Sequence, residues 1–305
     1  IEPAGAAWAE PGRRFPGGLP RPEVWDARLA YAAVCWGLSS GSPVSDHEQD
    51  WPKHQQGFAM CRVTVPDGWS HVGLIGVRGG DGWRWPSSPG EELEVWLHGA
   101  EIWLCREWGW RVEILERLWF PTSGKPLQKF ADRIVRARAR ITVSRPVARL
   151  VRAGLRAIML HTIGRLHGRP PVIVRSVPIA DAAHVPDSAA DLHMRDGVIR
   201  WTEKADEAHD PAASHPEWSA AIWARARCRL LDAPGPAQDL EDRQGALYLP
   251  PSSIVALRVD AIWTTCSPRW GDDGRPGRYT LRAEVPGPIP TPTSLGQLLA
   301  LAADR

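Results

Sequence analysis

A chain of 305 residues with 37 basic and 35 acidic side chains suits one large domain or two modest ones. The near-balance of charge excludes a strong global field as the source of any nucleic-acid affinity. No apolar run reaches the ~20 residues of a bilayer span, and the five cysteines (Cys35, Cys61, Cys105, Cys228, Cys266) are spaced for neither a zinc site nor a disulfide framework. The expectation is a reducing, cytoplasmic setting with no membrane partner.

Arginine dominates the basic side, since only Lys53, Lys125, Lys129 and Lys204 are lysines. Its planar fork suits phosphate, although a GC-rich coding bias produces the same preference. The 17 tryptophans scatter through predicted strands and helices and are expected in the core or at its rim.

In chain order, residues 1–22 are rich in Pro, Gly and Arg and read as an irregular connector. Within it, Phe15-Pro16-Gly17-Gly18 makes either an ordinary turn or a point of close backbone approach to a ligand. A short β-prone run then carries Asp26 to its end, with Tyr31 five positions on. A helix is predicted over 29–38 and a polar loop over 39–56. Strands are predicted at 57–65, 70–77 and Arg111–Phe120, with a helix over 90–108 on the spacing of Leu93, Trp96, Leu97, Ala100, Trp103 and Leu104.

From Pro126 the chain turns helical and basic. One helix carries Phe130, Ile134 and the Arg133, Arg136, Arg138, Arg140 series. A second, over 147–166, puts Arg149, Arg152 and Arg156 on one face. That face is either solvated or gripping phosphate. A strand is predicted at 171–177, then a polar segment over 181–210 whose histidines lack metal-ligand spacing. The helix Pro216–Leu231 and a Pro-rich loop lead to an apolar strand over 253–263 that holds Asp260. A basic strand, Arg278-Tyr279-Thr280-Leu281-Arg282, precedes a Pro-rich tail and a short closing helix. One carboxylate in each of two apolar strands predicts an antiparallel sheet that sets Asp26 beside Asp260. Such a pair can bind divalent metal for two-metal phosphoryl or nucleotidyl transfer.

These pieces together resemble the catalytic core of family B DNA polymerases, in particular the protein-primed viral and mobile-element branch. That family's first motif is an Asp at a strand end with a Tyr shortly after, here Asp26 and Tyr31, while Arg28, Leu29, Ala30 and Ala32 depart from it. Its finger motif runs from a Lys to a Gly. Arg156 stands at the Lys and Gly164 at the Gly, with Leu160, His161 and Ile163 replacing Asn, Ser and Tyr. Its Asp-Thr-Asp motif appears as Arg258-Val259-Asp260. Phe15-Pro16-Gly17-Gly18 resembles the Tyr-x-Gly-Gly element, and Arg278-Tyr279 the Lys-x-Tyr primer contact.

The resemblance covers nearly the whole chain and implies an α+β fold. It has a polymerase palm built on an antiparallel sheet and helical fingers, with no room for an exonuclease domain or a full thumb. By this likeness residues 1–125 are the connector and first part of the palm with an inserted α+β segment. Residues 126–168 are the fingers, and 169–305 the second part of the palm. Mg²⁺ or Mn²⁺ on Asp26, Asp260 and the Ala27 carbonyl is implied, with Tyr31, Arg152, Arg156 and Gly164 on the nucleotide and Gly17, Gly18, Arg278 and Tyr279 on DNA. The implied partners are a DNA template-primer and dNTPs, with a terminal-protein primer or a separate exonuclease- or thumb-bearing chain, in a bacterial, phage or mobile-element setting. Loss of the Asn and Tyr, and Arg258 close to the carboxylates, point instead to a polymerase-like nucleic-acid-binding module without catalysis. In a third reading both Asp residues are structural in an unrelated fold.

Overall fold

The computed structural model describes residues 7–8, 15, 17–79, 82–142, 145–166, 172–186, 189–195, 197–204, 214–237, 241–258, 260–290 and 297. Pro16, Gly168, Val259, His209 and nearly all of the expected closing helix lie outside them. The first strands are β1 (Ala7–Trp8) and β2 (Glu23–Ala27). Beyond β2 the predicted helix over 29–38 does not form. Leu29 has φ +47°, a left-handed conformation that no α-helix accommodates. A single 3₁₀ turn, Ala32–Val34, follows, and Gly37 at φ +59° leads into β3 (Leu38–Ser40).

Next come β4 (Val44–Asp46) and β5 (Gln56–Thr64). The strand expected at 70–77 is replaced by irregular chain that buries Leu74 and Ile75, and only then does the hairpin β6 (Val77–Gly79) and β7 (Gly82–Arg84) form. The helix expected over 90–108 is half strand, β8 (Glu92–His98), and half helix, α1 (Gly99–Glu107). Leu93 and Leu97 turn inward while Glu92, Glu94 and Trp96 turn out, the period of two that a strand imposes. Continuous pairing with β5, from Phe58↔His98 to Thr64↔Glu92, satisfies the backbone. α1 starts at a reciprocal cap: the Ala100 N–H donates to His98 Nδ1 and the His98 N–H to Glu101 Oε2, both at 3.0 Å.

The chain continues through β9 (Arg111–Phe120), β10 (Thr122–Gly124), α2 (Gln128–Ala139) and α3 (Arg145–Leu166). β11 (Val172–Pro178), β12 (Ala190–Arg195) and β13 (Val198–Lys204) form an antiparallel sheet ordered β11-β13-β12, where sequence alone suggested polar loop after the first strand. α4 (Pro216–Leu231) follows. The run over 253–263 is not one strand but a hairpin, β14 (Ile254–Arg258) and β15 (Ala261–Thr264), with Asp260 in its turn. β16 (Tyr279–Glu284) is the last strand described.

The fold is α+β, with antiparallel sheets and packed helices. A central sheet has the order β1-β14-β15-β2-β16, and a second has β4-β9-β5-β8. The pairing Ala261↔Asp26 sets β15 against β2, as the strand argument expected. The largest core runs through both sheets, α1 and the end of α4. A second core joins Tyr31, Ile134, Ile163 and Ile222 from the 3₁₀ turn region, α2, α3 and α4. All five cysteines are free, and no helix among the described residues is long and apolar enough to cross a membrane.

Candidate functional site

Asp26 is the fourth residue of β2, and Asp260 sits in the turn that feeds the neighbouring strand β15. The Ala27 N–H donates to the Asp260 carbonyl at 2.7 Å and locks the turn onto the end of β2. The two carboxylates therefore emerge side by side. Both are largely buried, with side chains 22% and 12% exposed.

Arg156, from α3, bridges them. Its guanidinium donates to Asp260 Oδ2 at 2.9 Å and lies 3.9 Å from Asp26 Oδ2. Arg282, on β16, approaches the same Asp26 oxygen at 3.8 Å. Asp26 Oδ1 is buried with no hydrogen-bond partner. Burial, and next the Asp260 charge, push the Asp26 pKa up to about 6, against the pull of Arg156, Arg282 and Arg138. Tyr31 lies close enough to feel both carboxylates: burial first, then Asp260, holds its phenol protonated well above the ordinary range. Its ring meets Trp223 of α4 edge-on, centroids 4.9 Å apart.

Beside the pair, Arg28, Arg138 and Arg152 line a cavity of about 340 Å³ together with Val135 and Gly274. Burial, with repulsion from Arg28, Arg152 and Arg156, lowers the Arg138 pKa, so this corner concentrates positive charge that an anion would relieve. Arg156 thus meets the carboxylates directly, while Arg152 stands with Arg138 at the cavity beside them. Gly164 does not join them: it lies eight residues beyond Arg156, about 12 Å along the helix axis, and a Cβ added there would meet open space.

The remaining predicted residues divide by burial. Arg278 and Tyr279 turn inward, 4% and 0% exposed, instead of presenting a primer-facing surface. The Tyr279 hydroxyl donates to the Arg229 and Leu230 carbonyls of α4, and Arg278 to the Pro234 carbonyl. Gly18 is demanded internally: it has φ +96°, and a Cβ would come within 2.8 Å of the Ile289 carbonyl. Gly17 has open space around it. Sequence reasoning missed Arg282, Arg138 and Arg28 at this site. The readable signal for Arg282 was strand alternation, which sends it to the face opposite buried Tyr279.

Among the described residues no group of three or more metal-ligating side chains occurs. The donor set is two carboxylates that already share one cation, Arg156, and that leave one buried oxygen unpartnered. Hard oxygens of this kind fit Mg²⁺ or Mn²⁺, which complete their shells with water and phosphate.

The raised pKa gives the first prediction. In metal-free buffer, folded Asp26 holds its proton to about pH 6, whereas an unfolded Asp releases it near 3.9. The folded state binds more protons between those values, so stability falls as pH rises through that window and levels off above it. Asp26→Asn should therefore match wild type in stability near pH 4 and exceed it at pH 8 by about 3 kcal/mol, following 1.36 kcal/mol per pKa unit. Chemical unfolding at the two pH values checks this, and a variant equally stable at both would remove the burial argument.

No protein-family model matches the sequence, and no curated protein matches it. The solved structures similar to it include Phi29 DNA polymerase in an orthorhombic crystal form: TM-score 0.59, 16% identity, covering 93% of this chain and 46% of that one. Phi29 DNA polymerase complexed with primer-template DNA and incoming nucleotide substrates gives TM-score 0.55 at 18% identity, covering 92% and 46%. Its post-translocation binary complex with primer-template DNA gives 0.57 at 17%, covering 92% and 45%. The likeness is one of fold, and the chain spans somewhat under half the length of the polymerase it matches.

Proposed function

We propose that this chain is the catalytic core of a template-directed DNA polymerase, adding nucleotides to a primer 3′-hydroxyl. The observation that carries the reading is the convergence of two buried carboxylates, from β2 and the β14–β15 turn, on a single cation. In this reading residues 126–168 are the fingers, with 1–125 and 169–305 the two parts of the palm. Its partners are a primed DNA template and dNTPs. A terminal-protein primer, or a chain bearing an exonuclease or thumb, is a further partner in this reading.

Asp26 and Asp260, with the Ala27 carbonyl, would hold Mg²⁺ or Mn²⁺. Bound there, the metal supplies Lewis-acid activation of the hydroxyl and charge neutralisation at the leaving pyrophosphate. The chain's own residues do the rest. Arg152, Arg138 and Arg28 gather the triphosphate in the basic cavity, where charge-assisted bonds to phosphate are strong. Arg156, which bridges the carboxylates here, would be free to bond a phosphate oxygen when those carboxylates hold a metal. Tyr31, held protonated and wedged against Trp223, forms the floor under the incoming sugar and excludes a 2′-hydroxyl.

Two measurements test this. Calorimetric titration with Mn²⁺ should show binding to wild type and loss of it in Asp260→Asn; no binding to wild type would remove the metal site. Arg156→Ala should raise the apparent nucleotide requirement about tenfold or more, read on protein shown to be folded, since its own side chain is 45% exposed while the carboxylates it bridges are largely buried. Unchanged nucleotide affinity would return that helix face to a solvated role.

A further inference from the structure

On another part of the molecule, a cavity of about 330 Å³ opens where α4 passes under the β5–β8 edge and the 34–37 loop. Its wall carries Arg225, Arg229, Lys53, His54 and His98, and among the described residues no Asp or Glu lines it. One of these cations, Arg225, is strongly buried, and Arg229 is partly so. Arg225 is 9% exposed and donates to the carbonyls of Val34, Trp36 and Gly37 and to Gln56 Oε1. These partners satisfy its hydrogens without cancelling its charge. Burial accordingly brings its pKa down to about 10. Arg229 makes no side-chain hydrogen bond or ion pair among the described residues, and burial and the nearby Arg278 lower its pKa. The neighbouring Arg227 is different, because Glu101 neutralises it.

His98 adds a donor. Its Nδ1 accepts from the Ala100 N–H, so the ring proton sits on Nε2. The residue is 2% exposed, and Nε2 is buried without a partner. At the cavity mouth stands Trp36, 50% exposed, its indole N–H fixed on the Ala33 carbonyl at 2.6 Å and its ring covered on one side by the Arg225 guanidinium at 5.5 Å. Burying cations without a counter-charge is costly, and a half-exposed indole held rigid is a ready stacking surface for a planar base.

We infer that this cavity is a second nucleotide site, distinct from the Asp26–Asp260 centre and independent of metal, that takes the phosphate of a nucleoside 5′-phosphate on Arg229 and Lys53 and stacks its base on Trp36. The chemistry is shared by a free nucleotide and by the 5′-phosphorylated end of a single strand. A strand has a path onward: Trp36 and Arg229 also line an adjoining cavity of about 400 Å³ that carries Arg275. The inference does not rest on polymerase activity.

The test is fluorescence anisotropy of a labelled dAMP with the full chain in EDTA. Wild type should bind. Trp36→Ala should weaken binding about tenfold, in line with the worth of one base stack, and Lys53→Glu about tenfold by replacing a charge-assisted phosphate contact with repulsion; both should melt as wild type because the substituted side chains lie at the surface. Arg156→Ala should bind as wild type. Absence of wild-type binding at millimolar nucleotide, unchanged affinity in Trp36→Ala and Lys53→Glu, or loss of binding in Arg156→Ala would each overturn the site. Unlabelled deoxyadenosine should compete at least tenfold less well than dAMP, and equal competition would remove the anion subsite. A 5′-phosphorylated hexathymidylate that competes better than dTMP identifies a strand end as the natural occupant, and equal competition identifies a free nucleotide.

Discussion

Primer extension in Mg²⁺ or Mn²⁺ is expected to disappear in Asp260→Asn and in Asp26→Asn, while DNA binding is retained in both. Each substitution keeps the shape of the side chain and removes its charge. An amide cannot replace a carboxylate at a divalent cation in a site where, among the described residues, two acidic side chains converge, so half of that negative charge is lost with either change. Metals and positioned cations supply most of the charge stabilisation in phosphoryl transfer, and the expected residual rate is below detection. The stability gain predicted for Asp26→Asn at pH 8 separates this loss from misfolding. A more stable protein that still binds DNA but no longer extends a primer has lost chemistry alone. Extension at the wild-type rate in either variant would end the catalytic reading. DNA binding with no extension, equal in wild type and both variants, would assign the chain to a non-catalytic module.

The second large effect is on stability. Glu101→Ala should cost about 3–5 kcal/mol in urea unfolding, the range for breaking a buried ion pair from one side. Glu101 and Arg227 are 3% and 9% exposed at the side chain and meet at 2.5 Å, joining α1 to α4 inside the main core. Removing the carboxylate leaves the Arg227 charge buried among apolar groups and opens the cap at the start of α1, where Glu101 accepts from the His98 N–H. Glu101→Met combined with Arg227→Leu should cost distinctly less than Glu101→Ala, because no charge is then stranded. A loss under about 1 kcal/mol for the single change would show that water reaches the pair. The consequence for function is direct, since α4 also carries Trp223 beneath Tyr31 and Arg225 and Arg229 in the second cavity.

Local sequence determined much of this protein. The strands β2, β5 and β9 and the helices α2, α3 and α4 were legible because each carries its own period of apolar residues between clear breaks. Asp26 stood out as one carboxylate at the end of an apolar strand, and the three-to-four spacing of Arg152 and Arg156 assigned them a common face. Tertiary structure decided the rest. Leu93, Trp96 and Leu97 fit a helix as well as a strand, and only the ladder with β5 chose strand. The run from Ile254 to Trp263 holds no Gly, Pro or Asn to mark a turn, so the hairpin that places Asp260 at a tip is enforced by pairing on both sides, with β1 and with β2. Arg278 and Tyr279 read as surface contacts until α4 offers carbonyls to Tyr279 and the chain just beyond it offers the Pro234 carbonyl to Arg278. Arg282 and Arg138 reach Asp26 from elements more than a hundred residues away along the chain. A period of two or of 3.6 is written in neighbouring residues, whereas the choice of pairing partner, and with it the charge around each carboxylate, exists only once distant segments meet.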